Sequence, residues 1–190
     1  LVEKDAVLIS TTGKTSRELY DLRKKLNDRK NGDLMIVGSM GHASSVALGI
    51  ALQDENRKVY CIDGDGALIM HMGALPTVGK YSTPNFRHII LNNFSHDSVG
   101  GQESSSNVID FSLLSKAVSY KRYFKISNKF DFPKIFSLFQ SSTGPSILEI
   151  TIDKGARQDL SRPSLTPYEN KQRFMKFLEL YMSLKEILLL

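Results

Sequence analysis

Apolar runs the length of a strand alternate along the chain with stretches whose apolar positions recur every three or four residues. Residues 6–10, 34–37, 58–62, 86–91 and 146–152 read as strands, and most of their positions are apolar. Residues 16–27 carry Leu19, Leu22 and Leu26 at helical spacing, while 44–53 offer Val46, Ala47, Ile50 and Ala51 among small residues. Helices are also expected at 72–80, 111–118 and 132–140, and one amphipathic helix over 167–190. Pro76 falls inside 72–80, so that helix is expected to kink or to start later. Strands apolar on both faces, separated by helices, predict an α/β fold: a parallel β-sheet with helices on both faces. No internal repeat is present, and 100–107 reads as a polar loop.

In such sheets ligands collect outside the carboxyl ends of the strands. Residues 10–16, 38–42, 63–67 and 92–101 occupy those ends and are rich in glycine and small polar side chains. Packing alone does not call for that composition.

Composition narrows the class. At 190 residues, with 41% hydrophobic and 24% charged, the chain suits a single globular domain over 1–190 and excludes a disordered or low-complexity polymer. No run of 18 apolar residues occurs, so no membrane association is expected. A single cysteine, Cys61, excludes an internal disulfide framework and a cysteine-rich zinc site. With no signal peptide, it also points to a cytoplasmic location. Net charge is +5. Arg23, Lys24, Lys25, Arg29 and Lys30 lie close together and read as a solvated helix face, without the aromatic interleaving of a nucleic-acid module. An anionic small molecule makes equal use of such charge. The sequence begins at Leu1 rather than methionine, which suggests part of a longer protein.

Two motifs carry chemistry. Gly13-Lys14-Thr15 is like the end of a P-loop, but the position five residues before Gly13 is Leu8, so a Walker A site is rejected. Backbone amides at 13–16 ahead of a helix, with a lysine, still make an anion cradle; the alternative is a helix N-cap by Thr12 or Thr15. The second motif is Gly64-Asp65-Gly66, then residues 67–91, then Asn92-Asn93. Glycines let a diphosphate approach the backbone. Asp65 and Asn93 offer a carboxylate and an amide oxygen to a hard cation such as magnesium, which keeps phosphate partners in its octahedral shell. His42 and His96 lie in site loops and are candidate catalytic residues. Cys61 reads as a buried inert thiol, Met70 and Met72 as core filler, and Arg157 and Arg162 as either a phosphonate contact or a solvated pair.

The second motif resembles the thiamine-diphosphate motif of the 2-oxo-acid decarboxylase superfamily. The resemblance implies that Asp65, Asn93 and the Ser95 carbonyl bind Mg2+, and that Gly64, Gly66 and Ala67 contact the diphosphate. Gly38-Ser39-Met40-Gly41-His42 is similar to the family's loop under the aminopyrimidine, with Met40 propping the bent cofactor. Residues 10–19, 38–43, 92–102 and 154–163 further resemble the phosphonopyruvate decarboxylase branch, over nearly the whole chain. Phe94 stands where the family usually has glycine. What the resemblance implies is decarboxylation of 3-phosphonopyruvate to phosphonoacetaldehyde and CO2, with thiamine diphosphate as carbanion sink. It also implies a separate pyrimidine-binding domain, from the same longer chain or a neighbouring subunit of a homo-oligomer, that supplies a glutamate to the cofactor. Alternatives are the beta subunit of a sulfopyruvate decarboxylase, a cofactor-binding module inactive without its partner, and an unrelated nucleotide-binding regulator.

Overall fold

The computed structural model describes residues 2–28 and 32–188, with side chains through residue 179. Six strands form one all-parallel sheet: β1 (Val7–Ser10), β2 (Asp33–Met35), β3 (Val59–Gly64), β4 (Phe86–Asn92), β5 (Arg122–Ile126) and β6 (Ser146–Thr151), in the order β2-β1-β3-β4-β6-β5. The helices are α1 (Lys14–Lys25), α2 (Ala43–Gln53), α3 (Asp65–Met70), α4 (Leu75–Tyr81), α5 (Phe111–Ala117), α6 (Phe132–Ser141) and α7 (Pro167–Leu188).

Two apolar clusters sandwich the sheet. One face packs Val7, Ile9, Val59, Cys61, Phe86 and Ile90 against α2, α4, α5 and Phe174 of α7. The other packs Leu8, Tyr60, Ile89 and Leu148 against Phe136 and Phe139 of α6, with Leu19 of α1. The faces follow the handedness of parallel crossovers. Steps toward β5 run over the first face through α2, α4 and α5, and the backward steps β1→β2 and β5→β6 run over the second through α1 and α6. The crossovers leaving β1 and β3 therefore diverge to opposite sides, and a crevice opens between their carboxyl ends.

Several elements differ from the sequence pattern. Strand β5 was not expected. Its edge position lets Arg122 and Lys125 face solvent, which breaks the apolar run that marks the inner strands. The stretch 72–80 divides into a 3-10 turn, Met72–Ala74, and α4, with Pro76 in the first turn of α4, where no backbone N–H is needed. A short helix, α3, starts directly at Asp65. Met70 and Met72 are exposed rather than core filler, as are Leu22 of α1 and Leu26 at its C-cap. In the expected tail helix Asn170, Phe174, Phe177 and Leu178 turn inward at helical spacing; residues 189–190 of that expectation lie outside the described residues, as do Arg29 and Lys30 of the basic cluster.

Candidate functional site

A cavity of about 250 Å³ lies at the carboxyl ends of β1, β3, β4 and β6, at the crevice the topology opens. The sheet register brings its two main loops together. Gly64, the last residue of β3, is level with Leu91 of β4. Asp65 and Asn93 thus emerge just past the ends of neighbouring strands, which run about 4.8 Å apart. Asp65, Gly66 and Ala67 then open α3, with backbone N–H groups free at its first turn.

Asp65 is buried and held by a polar clasp. The Ser104 hydroxyl donates to its Oδ2, and the Ser106 hydroxyl lies 2.8 Å from the same oxygen and 3.1 Å from Asn92 Oδ1. Both contacts fall on Oδ2. The serines belong to the loop 100–107, whose polarity reads in the sequence as ordinary solvation; a 3-10 turn, Ser105–Val108, folds them inward instead.

Asn93 closes a tight turn. Its Oδ1 accepts the Ser95 N–H at 3.1 Å and its Nδ2 donates to Asp97 Oδ2 at 2.6 Å. Asp97 also accepts the Ser95 hydroxyl at 2.8 Å and the Gly155 N–H at 2.7 Å. It ties the Asn93 turn to the loop after β6. Phe94, at the position where glycine is usual, has φ 57°, a left-handed conformation that glycine adopts without cost. The loop keeps a glycine-like backbone despite the side chain.

The expected site residues do not all converge. Lys14, Thr15, Met40, Gly64, Asp65, Gly66, Ala67, Asn93, Ser95 and His96 line the cavity. Gly13 stands just behind it as the N-cap of α1, with φ 105° and no side-chain cap from Thr12 or Thr15. A Cβ there would meet Ser98 Oγ at 2.3 Å, so the turn needs glycine. Gly38 and Ser39 are exposed and outside the lining, both at positive φ. The two histidines separate. His96 packs on Gly66, where a Cβ would come within 2.5 Å of the ring. His42 lies outside the cavity and stacks on His71, ring centroids 4.3 Å apart.

Three features missed in the sequence stand out. Asp97, Ser104 and Ser106 orient Asp65 and Asn93, and only the density of short polar residues after Asn93 signals them. Thr11 lines the cavity with a buried hydroxyl that has no hydrogen-bond partner among the described residues. Glu18 also lines it, but its carboxylate is taken up by Arg157, 3.1–3.2 Å away. Arg157 further binds Asp21 and Asp159, so its guanidinium is occupied. The hydrogen bonds it donates to Glu18 and then Asp21 hold that cation firmly protonated.

These residues fit an anionic, cation-bound cofactor. The unpartnered Thr11 hydroxyl awaits an acceptor. A Cβ at Gly64 would meet nothing within 4 Å, so the backbone there faces open space. The donor set of carboxylate, amide oxygen and main-chain carbonyls is hard, as magnesium prefers.

Fold and site together define a cofactor-binding α/β domain built at a switch point of a parallel sheet. Residues 11–150 match the family described as thiamine pyrophosphate enzyme, C-terminal TPP binding domain, and the chain belongs to that family. It is 37% identical over 174 residues to a phosphonopyruvate decarboxylase of Streptomyces viridochromogenes, covering 92% of this chain and 42% of that protein. It is 33% identical over 171 residues to a sulfopyruvate decarboxylase subunit beta of Methanococcus maripaludis, covering 90% of this chain and 88% of that one. The chain thus spans about two fifths of its Streptomyces relative. Among solved structures, a Mycobacterium smegmatis protein assigned to the thiamin diphosphate-dependent enzymes superposes with a TM-score of 0.65 at 21% identity. The match covers 81% of this chain and 30% of that one, and it establishes the fold.

Proposed function

We propose that this chain supplies the diphosphate-binding half of a thiamine-diphosphate- and Mg2+-dependent decarboxylase of 3-phosphonopyruvate, releasing phosphonoacetaldehyde and CO2. The observation that carries the reading is the placing of Asp65 and Asn93 at adjoining strand ends around one cavity. Asp65, Asn93 and the Ser95 carbonyl would hold the metal. Lys14, Thr15 and the Gly64–Ala67 backbone would hold the diphosphate, with the free N–H groups of α3 directed at negative charge. Gly38, Ser39 and Met40 would support the rest of the cofactor, of which Met40 reaches the cavity. His96, on the cavity wall, is the better placed of the two histidines to meet substrate. When bound, the cofactor supplies the sink for the electron pair left as CO2 departs. Similarity to the Streptomyces decarboxylase over 92% of this chain supports the phosphonate substrate.

One observation favours a second reading. The chain matches the Methanococcus beta subunit over 88% of that protein's length, so a sulfopyruvate decarboxylase with this chain as a separate subunit is the competing assignment. Comparing kcat/KM for phosphonopyruvate, sulfopyruvate and pyruvate in the assembled enzyme decides between them. The metal site has its own test. Asp65→Ala removes the charged metal ligand, and titration calorimetry with thiamine diphosphate should then show a loss of affinity of at least a hundredfold in the presence of Mg2+. Unchanged affinity would mean the metal lies elsewhere.

A further inference from the structure

A second cavity, of about 530 Å³, opens beside the first and shares Thr12, Lys14, Met40, Asp97, Ser98 and Val99 with it. Its walls come from the turn after β1, the first turn of α1, the end of β2 and the segment 162–167. Three cations line it: Lys14, Arg17 and Arg162.

Their state differs from that of Arg23 and Arg157. Arg23 is paired with Asp28 and Asp33, and Arg157 with Glu18, Asp21 and Asp159. Lys14, Arg17 and Arg162 have no ion pair or hydrogen bond from their side chains among the described residues. The single carboxylate in this wall is Asp97, and its oxygens already accept from Asn93, Ser95 and Gly155. Three like charges around one cavity repel one another, and the single carboxylate of Asp97 offsets only part of them. The rest of the wall is largely apolar, with Met35, Ile36, Val37, Pro163 and Leu165. Besides the cations it offers a polar ligand the hydroxyls of Thr12 and Ser98 and the uncapped N-terminus of α1. Guanidinium groups bind tetrahedral oxyanions through paired, charge-assisted hydrogen bonds.

We propose that this cavity is the subsite for the second anionic head of a short 2-oxo acid, a phosphonate or sulfonate. Arg17 and Arg162 grip the head, and Lys14, in both walls, stands between it and the diphosphate. Met40 and Val99, at the junction, flank the short carbon chain. The subsite sets specificity by leaving unbalanced cations whenever the substrate lacks that head. The inference rests on reading the first cavity as the cofactor site.

The test uses the full chain and titration calorimetry with methylphosphonate, methanesulfonate and acetate, each with and without thiamine diphosphate and Mg2+. Methylphosphonate or methanesulfonate should bind and acetate should not; the tighter of the two identifies the head. Arg17→Met and Arg162→Met should each weaken that binding about tenfold, the worth of one charge-assisted contact. The corresponding lysine variants should lose less. Thiamine diphosphate affinity should stay within twofold in the Arg162 variants, whose side chain lies on the exposed rim away from the first cavity. Equal affinity of the double variant and the parent for the tetrahedral anion would overturn the subsite. So would displacement of the anion by thiamine diphosphate, since it would then occupy the first cavity. Failure of thiamine diphosphate to bind the parent chain would instead sink the cofactor reading, while the anion titrations without cofactor would still decide this cavity.

Discussion

At the scale of single residues, the two candidate cation ligands are positioned by neighbouring side chains. Ser104 and Ser106 fix the rotamer of Asp65, and Asp97 fixes that of Asn93, so the two candidate ligands are aimed before any metal arrives. Such preorganisation removes an ordering cost at binding. The backbone is arranged with equal care at Phe94, whose φ of 57° is awkward for any residue with a Cβ. Phe94→Ala and Phe94→Gly both delete the ring, so their difference isolates the backbone effect. The glycine variant should be more stable than the alanine variant by about 1 kcal/mol in urea denaturation. An alanine variant as stable as the glycine one would show that the turn relaxes. The motif residues themselves were legible in the sequence, because Gly-Asp-Gly and Asn-Asn are short, local and chemically distinctive. Asp97 and the two serines were not: the serines reach Asp65 across 39 and 41 residues of chain, and Asp97 ties the Asn93 turn to Gly155, 58 residues on. His42 shows the converse. Its place at a strand end suggested the site, yet the Gly41 turn carries it outward onto His71.

At the scale of elements, α7 secures the far edge of the sheet. Strand β2 is three residues long and lies at that edge. The buried Asn170 accepts the Met35 N–H at 2.9 Å and donates to the Asp33 carbonyl at 3.0 Å. One amide thus stands in for a missing neighbouring strand. Arg23 of α1 holds Asp33 from the other side. Asn170→Ala leaves both backbone groups without a partner and should cost about 2–3 kcal/mol in equilibrium unfolding. A loss below about 0.5 kcal/mol would mean water replaces the amide freely. The inner strands were legible because burial on both faces makes them continuous apolar runs. Strand β5 was not, since at the edge of the sheet Arg122 and Lys125 stay exposed and interrupt the apolar run, although Tyr123 and Phe124 pack on opposite faces. The buried Asp63–His88 pair, 3.0 Å apart with Tyr120 beyond it, also has no signature in the apolar pattern. It lies beside Cys61, whose thiol is pushed well up by burial and then by the Asp63 carboxylate, in keeping with an inert thiol.

At the scale of the whole molecule, the question is what the cavity can accomplish with this chain alone. The resemblance to the 2-oxo-acid decarboxylases implies a glutamate beside the aminopyrimidine, supplied by a second domain. Three carboxylates line the first cavity here: Glu18, Asp65 and Asp97. Glu18 is ion-paired with Arg157, Asp65 is held by two serine hydroxyls, and Asp97 accepts three hydrogen bonds. Each is thus engaged by partners within this chain. Around the same end of the sheet Val37, Met70, Val99 and Val108 are 59–81% exposed, apolar surface of the kind that a neighbouring domain covers. Both observations are in keeping with the proposed arrangement, in which this chain would anchor diphosphate and metal and a partner would close over the pyrimidine. The purified chain should therefore bind thiamine diphosphate with Mg2+ in calorimetry but show no CO2 release from phosphonopyruvate or sulfopyruvate. Adding a pyrimidine-binding domain should restore turnover and tighten cofactor binding together, since the cofactor then gains its second wall. If the two gains separate, with tighter binding but no turnover, the missing group is more than that glutamate. Turnover by the chain unaided would require one of its own three carboxylates to be released from its present partners, with Glu18, held only through the exposed Arg157, the first to test as Glu18→Gln.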